Sequence, residues 1–354
     1  MSKSDYPTWD AGKSAKVIAV GGRYSISRVY RSVYESNREV FRAWGYRTDG
    51  VGFVSLGDKA AFLAATKVYD RPFVYHADRL TEQRLPFTDC VNVDCVDVAE
   101  GMIRGGLNPA ILNLASRHHA CGGYDTGAGA QEESLCRVST LSQSLYQYFD
   151  PSLRCVREAE VAPRGSVYPL DINFGGIYSP DVTFFRHGPM KGFEFRKEPF
   201  RCGVISVAAL NFRKNTRYVN DELRYESKHC NGTFNLEGHN VMLDKIRTIF
   251  RIALANGHDS LVLGAFGCGA FRLSPDSVAM LFHGVLGETE FAGCFRAVIF
   301  AILEFAAKEG APVGENGKFA PFYEWFGKDS EICRRFSFET AECPVGLTKK
   351  GKTR

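Results

Sequence analysis

Nowhere does the 354-residue sequence hold a run approaching ~18 consecutive apolar residues, so no membrane-spanning helix is expected. The N-terminal MSKSDYPTWDAGKSAK lacks the apolar core that follows the basic residues of a secretory leader. A dominant charge is missing too. With 44 basic against 40 acidic residues the formal charge is only +4, which excludes nucleic-acid binding through bulk charge and leaves room for a local patch at most. The 11 cysteines include no CxxC pair, and Cys90 and Cys95 are not followed by a matching second pair, so no structural zinc is expected. His118-His119-Ala120-Cys121 has metal-binding residue types but no further ligand motif behind it. The cysteines therefore read as small buried hydrophobes of a protein kept in a reducing compartment, intracellular and cytoplasmic and/or nuclear. Internal repeats and low-complexity stretches are absent as well.

What is present is ordinary globular composition, 45% hydrophobic and 24% charged. At ~150 residues per domain the length suggests two domains. Residues 1–23 are polar and read as a flexible leader. From Ile26 to Trp44, Val29, Val33, Val40, Phe41 and Trp44 recur near helical spacing. A strand at Val91–Val93 runs into a helix over Val96–Arg104, ended by Gly105 and Gly106. Further buried strands are predicted at Ala110–Ala115, Gly203–Leu210, Leu261–Phe266 and Ala297–Leu303. Leu135, Val138, Leu141 and Leu145 predict one helix with a single buried face, and Val241–Ala255 and Ser277–Leu286 predict two more. This alternation implies βαβ units and a mixed, largely parallel sheet with helices on both faces. Beyond Phe305 periodicity is lost, and 306–354 reads as a partly disordered, solvated extension ending in KKGKTR.

Two glycine-rich loops each follow a predicted buried strand and lead into a helix. One is RHHACGGYDTGAGA before QEESLCR; the other is GCGAF before RLSPDSVAMLF, where Ser274 suits an N-cap and Pro275 the first helical position. Such loops at the carboxyl ends of strands line the ligand crevice of an open α/β sheet, and their amides converge on anions. A dinucleotide fingerprint does not fit, because Arg272 stands where the third glycine is required, and no P-loop Gly-Lys-Ser/Thr exists. Either loop alone could be a tight turn. Two of them favour a ligand containing a diphosphate. Glu132 and Glu133, after Gln131, enter where the first loop becomes a helix; acids in a first turn also simply complement the helix dipole. As sequence neighbours they point ~100° apart, so they are not the opposed pair of an ordinary glycosidase.

These residues resemble the microbial-type poly(ADP-ribose) glycohydrolases, a branch of the macrodomain fold, whose signature is a glycine triplet followed at fixed spacing by Gln-Glu-Glu. The match runs from Asn113-Leu-Ala-Ser through Cys121-Gly122-Gly123 to Gln131-Glu132-Glu133, and extends to VNVDCVDVAEGM, SPDVTFFR, VISVAALN and LVLGAFGCGAF. It implies one elaborated macrodomain over 24–305, with an N-terminal helical addition and a C-terminal extension. It also implies hydrolysis of ribose–ribose bonds in poly(ADP-ribose), with no cofactor and no metal. The substrate would be the polymer or ADP-ribosylated proteins, for a monomer that binds neither DNA nor membrane. By the family's logic Glu133 is the acid and base, and Glu132 and Gln131 stand beside it at the substrate. Gly122 and Gly123 let the backbone approach the ribose, and Gly267, Cys268, Gly269 and Ala270 cradle the diphosphate. Phe271 packs on the ribose. Asp94 accepts from the adenine amino group or merely caps its helix; Asn113 lines the cleft or is a structural amide. Cys121 replaces the first glycine, which puts close approach of substrate in question. Two alternatives follow: an ADP-ribose-binding module with little catalysis, or a mono-ADP-ribosyl hydrolase.

Overall fold

The structure is a computed structural model that describes residues 9–75, 86–214, 216–225, 232–304 and 317–327. Its N-terminal part comprises α1 (Ala11–Val20), α2 (Arg23–Ala43), the antiparallel hairpin β1 (Gly45–Thr48) and β2 (Gly52–Ser55), α3 (Lys59–Ala64) and β3 (Lys67–Tyr69). Next come β4 (Phe87–Val91), α4 (Cys95–Arg104), β5 (Pro109–Leu114), α5 (Gln131–Val138), α6 (Leu141–Tyr146), α7 (Arg154–Glu158) and β6 (Gly176–Arg186). The remainder is β7 (Phe195–Val207), α8 (Leu236–Ala255), β8 (Ser260–Leu263), α9 (Pro275–Leu286), β9 (Ala297–Ala301) and α10 (Phe319–Phe326). Seven strands form one sheet in the order β3-β6-β7-β5-β8-β9-β4. The run from β7 to β4 is parallel throughout, while β6 is antiparallel to both β3 and β7.

Successive side chains of a strand face opposite sides of a sheet, and the five parallel strands are apolar on both. Ile111, Val262 and Ile299 pack with Val98 and Met102 of α4 and Leu135 of α5. Their neighbours Leu112, Leu261, Leu263 and Phe300 pack with Ile246 and Phe250 of α8 and Phe282 of α9. Helices therefore cover both faces.

Four differences from the sequence reading have local causes. The helix expected through Leu135 and Leu145 is two, because Ser139 is extended (ψ 176) and bridges to Phe184 of β6, while its hydroxyl donates to Leu135 O. The strand expected at Val91–Val93 ends at Val91, leaving Asp94 free to cap α4. Inside the expected leader, residues 11–20 form a helix whose Asp10 cap accepts from Lys13 N. Within the expected solvated extension, α10 buries Phe319, Phe322 and Phe326 against the core, Phe326 stacking on Phe300 at 4.2 Å between ring centres. The start of that helix is clamped by Glu304, whose carboxylate accepts from Lys318 N at 2.8 Å. Residues 1–8, 305–316 and 328–354, KKGKTR among them, lie outside the described residues.

Among the described residues no helix is long and apolar enough to cross a membrane. None of the eight described cysteines is in a disulfide, and five are buried.

Candidate active site

The parallel order brings the loops after β4, β5, β7, β8 and β9 to one edge of the sheet. They surround a cleft of about 950 Å³, roofed on one side by Ile18, Ile26 and Tyr30 of the N-terminal helices and by Pro189 and Met190. Asp94, Gly122, Gln131, Glu132, Glu133, Gly267, Gly269, Ala270 and Phe271 all reach its wall. Residues that sequence patterns did not single out join them: Tyr30, Ser116, Ala209, Arg213 and Lys318. Lys318 comes from the expected tail, and no local pattern marks it. Arg213 follows a predicted strand and could have been found by extending the rule about carboxyl-end loops to that strand.

Helix α5 carries the two glutamates into the cleft, and each is held differently. Glu133 Oε1 accepts from Gly123 N and Oε2 from Ala130 N, both at 2.9 Å. The second contact is the half of a capping box that a third-position glutamate supplies. Glu132 lies deeper: Oε2 accepts from Ser116 N at 2.7 Å, and Oε1 faces Asn113 Nδ2 at 3.4 Å. Burial, reinforced by the charge of Glu133, pushes the Glu132 carboxyl up to about 8, against the pull of the Ser116 amide. Glu132 is therefore neutral at pH 7. Burial also raises the Asp94 carboxyl above its usual range, although it accepts from Val96 N at 2.8 Å and so does cap α4.

The backbone of the first glycine-rich loop fits these carboxylates closely. Gly122 has φ +54, and a Cβ there would collide with Glu133 Oε1. Cys121, at the first position of the triplet, adopts φ +63 with its thiol wholly buried and hydrogen-bonded to Cys136, so it presents no side chain to the cleft. The concern that a side chain here obstructs substrate does not apply. Gly267 (φ +76) sits where a Cβ would strike Leu273 and Ala209, whereas Gly269 has open space beside it. The Gly267-to-Phe271 loop thus approaches the cleft with bare backbone at two points.

Four expected site residues do not line the cleft. Cys121 and Cys268 turn away, the Gly123 amide is committed to Glu133, and Asn113 is fully buried behind Glu132, donating to Ser206 Oγ at 2.9 Å. Asn113 is a structural amide that positions Glu132. Gln131 reaches the wall, yet its amide is spent on β5, accepting from Leu114 N and donating to Leu112 O. It pins α5 to the strand.

Helix α2 holds the loop from the other side. Asn37, wholly buried, donates to Tyr124 Oη and Arg137 O, both at 2.8 Å, and Arg137 in turn donates to Ala128 O and lies 4.1 Å over the Tyr30 ring. At Gly127 (φ +83) a Cβ would collide with Ser27 O. Gly127→Ala is therefore expected to lower unfolding free energy by about 1–3 kcal/mol, since overpacking and an unfavourable φ act together. Urea denaturation measures this, and an unchanged midpoint would show that α2 does not seat the loop.

Comparison with known proteins gives a consistent outcome. The family described as microbial-type PARG, catalytic domain, matches residues 35–187. The chain is similar to the crystal structure of poly(ADP-ribose) glycohydrolase from Thermomonospora curvata, at 26% identity and TM-score 0.63, over 84% of this chain and 100% of that one. The same enzyme bound to the inhibitor ADP-HPD superposes at TM-score 0.61, with the same identity and coverage. Poly(ADP-ribose) glycohydrolase from Deinococcus radiodurans in complex with ADP-ribose shares the fold, at 24% identity and TM-score 0.53, over 77% of this chain and 97% of that one. No curated protein matches the chain.

Proposed function

We propose that this chain, which matches the microbial-type poly(ADP-ribose) glycohydrolase family over residues 35–187, hydrolyses ribose–ribose O-glycosidic bonds in poly(ADP-ribose) and releases ADP-ribose. The observation that carries the reading is the pair Glu132–Glu133, delivered together into a nucleotide-sized cleft with a bare backbone, Gly122, directly against it.

Glycoside hydrolysis needs a proton for the leaving oxygen and a base for water at the oxocarbenium-like carbon. Glu133 takes both roles in this reading, donating to the leaving ribose oxygen and then activating water. Burial raises the Glu132 carboxyl to about 8, so Glu132 is the neighbouring acid from which Glu133 takes the proton that it passes to the leaving oxygen, and Glu133 regains a proton when it activates water. Glu132, fixed by Ser116 and Asn113, meets the ribose hydroxyls. Amides of Gly267, Gly269 and Ala270 hold the diphosphate, which explains how a chain of net charge +4 takes a polyanion. Phe271 packs on the ribose, and Asp94, at the far end of the cleft, accepts from the adenine amino group through the oxygen not used on Val96. The chemistry assigned to these residues uses no cofactor. Cys121 lends no support to a binding-only reading, since its thiol is outside the cleft.

The test is release of ADP-ribose from automodified polymer by the purified protein, alongside calorimetry with ADP-ribose. Release together with binding is expected. Binding without release, even at high enzyme concentration, would overturn the catalytic reading and leave a binding module.

A further inference from the structure

A second, smaller pocket of about 160 Å³ opens beside the cleft and shares Ser116, Ala209, Arg213 and Phe271 with it. Ser116 is the residue whose amide holds Glu132, so the two spaces join at the carboxylates. Strand order sets the direction. In the sheet, β8, β9 and β4 lie on one side of β5, and Asp94 follows β4. The β7 loop, which builds the second pocket, lies on the opposite side. The β8 loop reaches across to it, Phe271 O accepting from Phe212 N, and a ligand laid from Asp94 over the glycine loop to Glu133 has its reacting end beside Ser116, which both pockets share.

The lining is suited to a nucleoside. His118 stacks on Tyr218 at 3.8 Å between ring centres and 17° between planes, and the Arg217 guanidinium lies 4.7 Å from the same Tyr218 ring. Burial, then the charges of Arg117, His119 and Arg217, lowers the His118 pKa and keeps the imidazole neutral. Asn220 Oδ1 accepts from Asn211 N at 2.9 Å, which leaves its NH2 as a donor to a ring nitrogen. Arg117 and Arg213 supply cations, and no carboxylate lines the pocket among the described residues. Aromatic surface beside guanidinium groups is the combination that binds bases on a charged backbone.

We propose that this pocket is the leaving-side subsite, which takes the adenosine of the ADP-ribose unit still attached across the scissile bond, with the outer face of His118, backed by Tyr218, as its stacking platform and Arg213 toward that unit's phosphates. The assignment rests on the glycohydrolase reading of the main cleft. It gives the enzyme a preference for polymer over a single ADP-ribose attached to protein, because only the polymer presents a purine there.

Tyr218→Ala is expected to lower kcat/KM on polymer about ten-fold or more, mainly through KM. Its ADP-ribose affinity by calorimetry should match wild type, and Tyr218→Phe should restore the rate. Wild-type release with an unchanged polymer KM in Tyr218→Ala would overturn the subsite while leaving the catalytic reading intact. An equal loss on polymer and on mono-ADP-ribosylated protein would overturn it in favour of a protein-docking pocket. A loss of ADP-ribose affinity that Phe does not rescue would reduce Tyr218 to a structural residue of the cleft. No release by wild type would remove the glycohydrolase reading itself.

Discussion

Glu133→Gln is expected to lower kcat on poly(ADP-ribose) by about two to four orders of magnitude, the usual contribution of a positioned general acid and base. The side chain keeps its shape, so the amide oxygen still accepts from Gly123 N or Ala130 N. Its NH2 then faces the other N–H, and one hydrogen bond at the start of α5 is lost. That costs about 0.5–2 kcal/mol of stability, a modest drop in Tm. Affinity for ADP-ribose should stay within a few-fold of wild type, because the diphosphate and adenine contacts are elsewhere in the cleft. Single-turnover release and calorimetry on the same preparation separate these effects. Undiminished turnover would remove Glu133 from its assigned role.

Glu132→Gln is expected to change stability in a strongly pH-dependent way. The Glu132 carboxyl titrates near 8 in the folded protein against 4.5 for an ordinary glutamate, so the folded state holds a proton that the unfolded chain releases. For an acid whose folded pKa is raised, wild-type stability is greatest below the unfolded value. It declines as pH rises from about 4.5 to 8, at roughly 1.4 kcal/mol per unit, and then levels off. Glutamine carries no charge to bury and loses this penalty. Its oxygen keeps the Ser116 N–H, while its NH2 stands where Oε1 met Asn113 Nδ2 and finds an acceptor there only when the Asn113 amide turns over to present Oδ1. The variant should gain on the order of a few kcal/mol relative to wild type between pH 5 and pH 8.5, seen as diverging urea midpoints. Parallel stability curves across that range would show that Glu132 is ionised at neutral pH. Wild-type turnover should fall as pH rises through about 8, where Glu132 ionises.

Part of the site could be read directly from adjacent residues. The glycines near 122 and 267 and the glutamates 132 and 133 are local chemistry, and a loop between a strand and a helix places them at the sheet edge wherever the rest of the chain goes. Asn113, Cys121 and Gln131 looked like the same chemistry because they share those segments. Their actual jobs, holding Glu132, filling the space behind the loop and pinning α5 to β5, depend on which way each side chain turns. Sequence spacing does not contain that direction.

The fold divides along the same line. The four strands predicted from apolar runs are the parallel strands β5, β7, β8 and β9, because a strand covered by helices on both faces reads as a near-continuous apolar run; the strand expected at Val91–Val93 meets the fifth, β4, only at Val91. The strands that went unread, β1, β2, β3 and β6, are antiparallel. The first three are only three or four residues long, and β6 is interrupted at Pro180 and Asp181, where the register shifts. The sequence alone thus determined the parallel core, the two glycine loops and the carboxylate pair. The tertiary structure decided the electrostatics: burial beneath Ser116 and Asn113, not residue type, raises the Glu132 carboxyl to about 8. It also decided the neighbours, bringing α2, Lys318 and the β7 loop to a cleft they are far from in sequence. Contacts between distant segments follow from which strands pair and which faces pack, and no local pattern encodes those.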